Sequence, residues 1–498
     1  ISNLYFSGDL VFYAIWKPIE FNITYDNLKG ALNGENPVSY NIESEFTFKP
    51  LSGVAGYKFN SWYNNSDLDE SHKQAKIEYG TTLDKTFYAG WDRLPYTLTV
   101  DVDGTISNYT YYIDDISAVN LNTIKADIEA NNSDKTFGHF KVVSMGSNPE
   151  ESAEELLKIL SNGNKIEEED KIETIDLGSY GNIEIAVVWK GSEEDAYEID
   201  SIETFNNYVD QGLFGKGYFF KLVADLEVTN TNKLKATSLK GIFDGGYTDE
   251  EGNNKNHSIK ILNSTPLFVS VDGTIKNLDY YVEGFEYNAS GISGVLAGSY
   301  QGVLENVKAY GTVTATLSSG NSSIGLIERA NTGALAINLC ENHINYNINA
   351  SDSAYYQAGG FVGETNQNIK ITNSLNTGNI NIEAQGYIYV GGFIGIGRSE
   401  MVEITGSLNK GQVKATVPSG TIVAGGGLVG LAHRSTILYS YNIGNITVSS
   451  PTTTGINVGG LISGFQSSYV VINYSYNLGL INPLTEYGGL VGKIYNGT

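Results

Sequence analysis

The sequence predicts a mainly β protein, in which small β modules and a short helical cap precede a stack of repeated β units. Three observations support this fold class. A glycine motif recurs about every 30 residues in the last third of the chain. Alternating β-branched runs separate its copies, a pattern typical of strands. Segments ending in tryptophan recur only within the first 189 of the 498 residues, so the composition changes there.

The repeated motif is a pair of glycines followed by two apolar residues and, in most copies, a further glycine. Its second glycine falls at positions 294, 325, 360, 392, 427, 460 and 489, and the first two copies are degraded. Such a period indicates a repeat architecture, and units without a whole core of their own must stack. Good copies are Gly359-Gly360-Phe361-Val362-Gly363, Gly391-Gly392-Phe393-Ile394-Gly395 and Gly426-Gly427-Leu428-Val429-Gly430.

Asparagines recur at fixed positions of the repeat. One series is Asn376, Asn409, Asn442 and Asn477, and another is Asn277, Asn306, Asn338 and Asn373, which Gly406 and Tyr439 interrupt. Stacked asparagine side chains can bond to one another from unit to unit. The pattern therefore favours a structural role over ligand binding, whereas exposed members of the 34 tyrosines are candidates for contact with sugar or protein.

The two motifs together resemble the GLUG motif of bacterial surface proteins. The resemblance covers residues 272–498, where Gly-Gly-Leu-Val-Gly is followed by segments such as Tyr474-Ser475-Tyr476-Asn477-Leu478-Gly479. It implies a parallel β-solenoid (β-helix), and we make the same prediction from the repeat spacing.

Residues 17–91 resemble the Listeria–Bacteroides repeat, the internalin B-type repeat, through Gly56-Tyr57, Trp62-Tyr63 and Phe87-Tyr88-Ala89-Gly90-Trp91. This family implies a small β-grasp-like fold and a role as a stalk or spacer on bacterial surface proteins. Because residues 11–16 end in a similar way, residues 1–16 are interpreted as the tail of a preceding repeat. The matching contexts predict that Trp62 and Trp91 occupy core positions.

Residues 92–190 are predicted to form a divergent α+β module, and residues 191–271 a cap over the open first end of the solenoid. In the module, Asp103-Gly104 predicts a hairpin turn. One helix is expected with Ile116, Val119, Ile124 and Ile128 on its apolar face, and another over 151–160. The cap helix should present Ile202, Phe205, Tyr208 and Val209 and end at Gly212.

The net charge of −25 argues against nucleic acid as a partner, because binding to phosphates needs clustered Lys and Arg. The charge is uneven: from Phe285 onward there are ten acids and eight bases, so residues 1–284 carry most of it. No apolar run is long enough to predict membrane insertion. The lone Cys340 is predicted to be buried and to act as a small hydrophobic residue. The first residue is not Met, and we interpret the chain as part of a longer one.

No catalytic, cofactor-binding or metal-binding residues are predicted. The histidines lack metal-ligand spacing, and Asp101-Val-Asp103-Gly104 departs from a calcium loop. A solenoid enzyme would need carboxylates gathered in a cleft, whereas the acids of the repeats do not recur at one position of the period. The histidines are His72, His139, His257, His343 and His433, and the acids are Glu364, Glu383, Glu400, Glu403 and Glu486.

The sequence therefore favours a non-enzymatic, elongated, adhesin-like protein, extracellular on a bacterial cell surface. Its partner would be a host or bacterial glycan or protein. The alternatives are a carbohydrate-active β-helix enzyme and the non-catalytic arm of a larger secreted protease. A cluster of acids on one solenoid face would favour the enzyme, and a polar face without such a cluster would favour the adhesin.

Overall fold

The structure, a computed structural model, describes residues 9, 11–146, 148, 160–161, 164–287, 294–318, 320–418, 422–451, 455–465, 469–482 and 487–494. The chain divides into two units, residues 1–190 and residues 191–498. Within the described ranges, no helix is long and apolar enough to cross a membrane.

The first module of unit 1 is a small sheet with the strand order β2-β1-β6-β4, beside a two-stranded sheet of β3 and β5. In the main sheet β1 and β6 are parallel neighbours, and the outer strands are antiparallel to them. The strands are β1 Glu20–Asp26, β2 Ser39–Asn41, β3 Phe46–Thr47, β4 Tyr57–Tyr63, β5 Lys76–Ile77 and β6 Lys85–Arg93.

The second module repeats this order, since its sheet runs β12-β9-β13-β7-β8 with β7 and β13 as the central parallel pair. In both modules the first and last long strands therefore lie side by side, as a β-grasp-like arrangement requires. The elements are β7 Tyr96–Val102, β8 Thr105–Tyr111, α1 Leu121–Asn131, β9 Phe137–Gly146, β10 Leu160–Ser161, β11 Asn164–Lys165, β12 Lys171–Ile172 and β13 Asn182–Trp189.

The local predictions for the second module are confirmed where the structure describes them. Asp103 and Gly104 both have positive φ in the β7–β8 turn. The predicted helix exists as α1, which begins at Leu121 because the Asn120 side chain caps it, while a 3-10 turn precedes it. The second predicted helix, over 151–160, lies outside the described residues apart from Leu160, which starts β10.

Trp62 lies in the core of the first module, as predicted, and is 1% exposed. Its ring packs against Tyr25, Phe48 and Phe59, and its Nε1 donates to the Lys49 carbonyl at 3.0 Å. Trp91 is only half-buried and packs against the edge of the same core.

Trp62→Ala should lower the free energy of unfolding of the first module by about 3–5 kcal/mol, the usual cost of removing a large buried aromatic side chain. Amide hydrogen exchange of β1, β4 and β6 in the intact chain measures this change. Trp16→Ala is the matched control, since Trp16 is 89% exposed. An unchanged exchange rate in Trp62→Ala would contradict the assignment of Trp62 to the core.

Unit 2 begins with a helix-containing segment. Ser201 caps α2, which spans Ile202–Asp210 and buries Ile202 and Phe205, and Gly212 follows with positive φ, as predicted. Parallel pairing already starts at β14, so strands of the solenoid ladder lie within the stretch predicted as the cap. The early strands are β14 Tyr197–Ile199, β15 Phe219–Leu222, β16 Leu226–Val228, β17 Ser238–Leu239, β18 Ile242–Asp244, β19 Gly246–Thr248, β20 Asn254–Ile261, β21 Phe268–Tyr287 and β22 Ala297–Leu317.

Among the described residues, the rest of unit 2 is a parallel β-solenoid, which confirms the fold predicted from the repeats. A 27-stranded sheet winds through it, and a second sheet stacks one strand from each of six coils: β23, β27, β32, β36, β40 and β45. The strands are β23 Ser322–Ile324, β24 Ile327–Ala330, β25 Leu335–Asn338, β26 Glu341–Ala350, β27 Tyr355–Gly359, β28 Val362–Thr365, β29 Ile369–Thr372, β30 Leu375–Asn376, β31 Ile380–Ala384, β32 Tyr387–Gly391, β33 Ile394–Thr405, β34 Leu408–Asn409, β35 Val413–Thr416, β36 Val423–Gly426, β37 Val429–Leu438, β38 Tyr441–Asn442, β39 Ile446–Ser449, β40 Ile456–Gly459, β41 Ile462–Phe465, β42 Val470–Asn473, β43 Tyr476–Asn477, β44 Ile481–Asn482, β45 Tyr487–Gly488 and β46 Val491–Ile494.

The two repeated motifs meet inside the coils that hold Gly360, Gly392, Gly427 and Gly460. A Cβ on Gly392 would lie 2.3 Å from the carbonyl oxygen of Gly427 and 2.4 Å from Cγ of Asn409. The equivalent glycine one coil later, Gly427, is in the same relation to Asn442. The glycine pair is therefore needed because the buried asparagine of the same coil packs directly against its backbone, where no side chain fits.

Candidate functional site

A ladder of buried asparagines runs through the solenoid, which agrees with the structural role predicted for this series. Each Nδ2 donates to Oδ1 of the next asparagine at 2.7 Å. From Asn376 onward, each Nδ2 also donates to the carbonyl two residues along, at 2.9 to 3.0 Å. The members are Asn342, Asn376, Asn409, Asn442 and Asn477. These amides therefore form their hydrogen bonds with other residues of the solenoid.

The second asparagine series marks a corner of each coil, but one predicted member was wrong. Asn338 pairs with Glu305 and Thr372 in ordinary strand geometry, and its neighbour Leu339 holds the corner. The corner residues share a left-handed backbone, with φ between 48° and 61°. They are Asn277, Asn306, Leu339, Asn373, Gly406, Tyr439 and Tyr474. Asn and Gly suit this conformation, whereas Leu and Tyr are strained there.

The strained corner tyrosines belong to an exposed surface, which we call the tyrosine face: Tyr439, Tyr441, Ile443, Tyr474, Tyr476 and Leu478. Tyr439 and Tyr474 are 51% and 74% exposed, and their rings are parallel within 3° at 4.9 Å. Tyr441 and Tyr476 pair 4.2 Å apart in the neighbouring column. Because each ring covers one face of its partner, the face presents ring edges, hydroxyls and aliphatic side chains to the solvent.

A carboxylate–arginine cluster also spans three coils, and sequence reasoning missed most of it. Glu364 is 10% exposed at its side chain, and its two oxygens accept from Arg398 Nε at 2.5 Å and Ser323 Oγ at 3.1 Å. Arg329 Nε lies 3.3 Å from Glu364 and 3.6 Å from Glu328. Glu364 is thus fully engaged within the fold, and Glu328 is the outermost carboxylate of the cluster.

Burial raises the pKa of the Glu328 carboxyl from 4.5 to about 7, with Glu364 adding to the rise and Arg329 opposing it. A carboxyl whose pKa is higher in the folded state binds more protons there than in the unfolded chain. The stability of the fold is therefore highest, with respect to Glu328, below about pH 4.5, where the carboxyl is protonated in both states. This stability is lost as the pH rises to about 7 and the buried carboxyl ionises.

Glu328→Gln should remove this pH dependence, because glutamine is neutral throughout the range. Unfolding of unit 2 at pH 4.5, 6 and 7.5 in the parent chain and the variant measures it. We expect stability to fall less steeply with pH in the variant. Parallel curves would contradict the assignment. Glu383→Gln is a suitable control, because Glu383 is exposed in its strand.

Of the other predicted acids of the repeats, the two that the structure describes do not join this cluster. In the strand registers, Glu383 neighbours Asn349 and Thr416, while Glu403 neighbours Lys370 and Thr436. Glu486 lies outside the described residues, as does the side chain of Glu400.

The histidines and the cysteine show no gathered reactive centre among the residues that the structure describes. No group of three or more His, Cys, Asp or Glu side chains is placed to hold a metal ion there. His343 stacks on Tyr310 at 4.7 Å and contacts Glu341 at 3.0 Å, and His257 stacks on Tyr247 at 4.3 Å. Burial raises the pKa of the Cys340 thiol to about 12, as expected of a structural cysteine.

The chain matches no protein-family model and no curated protein. Two solved structures are similar to it at a low level. One is a provisionally named immunoglobulin A1 protease from Bacteroides ovatus, with 17% identity and a TM-score of 0.36, covering 52% of this chain and 79% of that one. The other is an IgA1 protease, with 15% identity and a TM-score of 0.35, covering 76% of this chain. The similarity spans only 30% of that second protein's length.

Proposed function

We propose that this chain is a non-catalytic, adhesin-like part of a bacterial surface protein, with spacer modules in unit 1 and a contact surface on the solenoid. The tyrosine face is the observation that carries the proposal. Two coils hold exposed tyrosines at a corner where asparagine or glycine would be less strained. Because these tyrosines are exposed and do not relieve the backbone strain, their presence favours a role in binding another molecule.

The composition of the face favours a protein ligand. Tyrosine edges and hydroxyls beside aliphatic side chains are enriched in the cores of protein interfaces, from which charged residues are depleted. All six members of the tyrosine face are uncharged. Ile443 and Leu478, which are 41% and 70% exposed, extend the apolar area.

The proposal predicts that Tyr439→Gly combined with Tyr474→Gly strongly weakens binding to cells without unfolding the solenoid. Gly406 holds the same corner one coil earlier, so glycine fits there, and the change in stability should stay within about 1 kcal/mol. Labelled protein is incubated with epithelial cells and with bacterial cells, and bound protein is measured by flow cytometry. We expect at least about a tenfold loss of affinity, the result of removing interface tyrosines.

Tyr79→Ala is the matched control, because Tyr79 is 73% exposed and lies in unit 1. Binding that survives in the double glycine variant would exclude the tyrosine face. Absence of binding of the parent chain to both cell types would contradict the adhesin-like proposal.

A carbohydrate-active enzyme is the second candidate, and Glu328 is the observation in its favour. A carboxyl with a pKa of about 7 suits a general acid, and ionised and protonated carboxyls work in pairs in glycoside hydrolysis. Both oxygens of Glu364, the nearest second carboxylate, already accept hydrogen bonds from Arg398 and Ser323 within the fold, so we expect no turnover of a polysaccharide panel. Turnover abolished by Glu328→Gln would establish the enzyme instead.

A further inference from the structure

The first coils of the solenoid hold a polar cavity of about 320 Å³, distant in sequence from the tyrosine face. One wall is formed by the corner residues Asn277 and Asn306 together with Asp244, which lies in the preceding coil in register with Lys276; we call these three residues the corner column. The other wall is the hairpin of β19 and β20. These two strands pair antiparallel, whereas the other described strand pairs of unit 2 are parallel. The volume lies within the usual range for small-molecule sites, about 300–1,000 Å³.

The corner column forms a directed row of hydrogen bonds. Asn306 Nδ2 donates to Asn277 Oδ1 at 2.9 Å, and Asn277 Nδ2 donates to Asp244 Oδ1 at 2.9 Å. Successive coils are about 4.8 Å apart, so the row spans about 10 Å. In the buried ladder, Asn376, Asn409 and Asn442 have no exposure, whereas Asn277 and Asn306 are half-buried and line an open cavity. These amides therefore keep hydrogen-bonding capacity directed toward a ligand.

The hairpin contributes an aromatic ring to the cavity. Tyr247 lines it and is 39% exposed, and its ring is fixed by stacking on His257 at 4.3 Å. His257 is in turn held 3.5 Å from Asp225. A ring held in this way offers a preorganised apolar surface beside the polar row.

Two of the lysines at the cavity are paired with carboxylates. Lys276 Nζ pairs with Asp244 at 3.3 Å, and Lys255 pairs with Asp249 at 3.8 Å. Lys221 adds a donor to the wall. The cavity thus combines amides, a paired carboxylate, ammonium groups and an aromatic ring. It offers donors and acceptors for hydroxyl groups and an apolar surface for the face of a sugar ring.

We infer that this cavity is a saccharide site for a neutral mono- or disaccharide, held by hydrogen bonds from the corner column and by contact with Tyr247. The site does not depend on the tyrosine face and would add a glycan contact to the chain. Because the row is built from side chains of three coils, its spacing follows from the solenoid and matches a ligand lying along the stack.

Titration of the intact chain with lactose, chitobiose, mannobiose and cellobiose, followed by saturation-transfer NMR and calorimetry, tests the inference. At least one disaccharide should bind. Tyr247→Ala and Asn306→Gly should each weaken its binding about tenfold, the effect of losing one ring contact or hydrogen-bonding group. Glycine suits the positive φ of Asn306, so that variant keeps the corner.

Tyr247→Phe should retain most of the affinity, because it keeps the ring. The variant with Tyr439→Gly and Tyr474→Gly should bind the disaccharide normally, which separates this site from the tyrosine face. The inference is overturned if none of the four disaccharides binds. It is also overturned if binding is unchanged in folded Tyr247→Ala and Asn306→Gly.

Discussion

Asn409→Ala is expected to lower the stability of the solenoid by about 3–5 kcal/mol. Asn409 is fully buried and lies mid-ladder, where its amide bonds to Asn376, Asn442 and the Gly411 carbonyl. Alanine removes all three partners at once and leaves the Gly411 carbonyl and Asn442 Oδ1 buried without a donor. Amide hydrogen exchange of the two strands stacked on that of Asn409, 375–376 and 441–442, reports the local free energy of opening.

Asn381→Ala is the matched control for this prediction. Asn381 lies in the same repeat unit as Asn376, but its side chain points outward from β31 and is exposed. Its replacement should change stability by no more than about 0.5 kcal/mol. A loss in Asn409→Ala as small as that in Asn381→Ala would mean that the ladder is a by-product of stacking and contributes little to stability.

Gly427→Ala should destabilise the solenoid by at least about 3 kcal/mol, because the new methyl group has no space. Its Cβ would lie 2.1 Å from the Gly460 carbonyl oxygen and 2.5 Å from Cγ of Asn442. The first of these contacts is with backbone, so relief requires two coils to separate. Thermal unfolding of the intact chain, followed by circular dichroism, measures the loss.

The last copy of the motif provides the control. Gly489 holds the same position as Gly427, yet a Cβ there would have no heavy atom of the described residues within 4 Å. Gly489→Ala should therefore leave stability within about 0.5 kcal/mol of the parent chain. A large loss in Gly489→Ala would show that the motif needs backbone freedom, and our explanation by close packing would then be wrong.

The solenoid could be predicted because its geometry imposes a period on the sequence. Each coil must return to the same place, so residues such as Asn376 and Asn409 recur one coil apart and stack. The alternation of Ile380 and Ile382 with outward polar residues likewise marks strands. Contact between the two motifs was not predictable, because Gly392 and Asn409 are separated along the chain and meet only when the coil closes.

Other features depart from the period, and sequence reasoning failed there. Asn338 looked like a corner residue because of its identity, although the corner lies at Leu339. Glu364 occupies a column in which the next coils place Ile396 and Leu431, so the repeat pattern gave no sign of an ion cluster. Glu328 joins it only through Arg329 in three dimensions.

The cavity beside Asp244 was missed for a similar reason. Its hairpin, through Tyr247, is an insertion into the coil and carries no repeated residues. The sequence predicted that exposed tyrosines are candidates for contact, but it did not show which of the 34 are exposed. Only the structure separates Tyr474, which is 74% exposed, from Tyr346, which is 1% exposed.

The central claim is that the uncharged tyrosine face, and not the acidic first part of the chain, makes the functional contact. Cell binding of the intact chain across sodium chloride from about 0.05 to 0.5 M tests it most directly, since salt over this range screens exposed charges. We predict that binding changes less than about twofold, because desolvation of uncharged groups depends little on ionic strength. A steep fall in binding with salt, equal in the parent chain and in the variant with Tyr439→Gly and Tyr474→Gly, would contradict the claim.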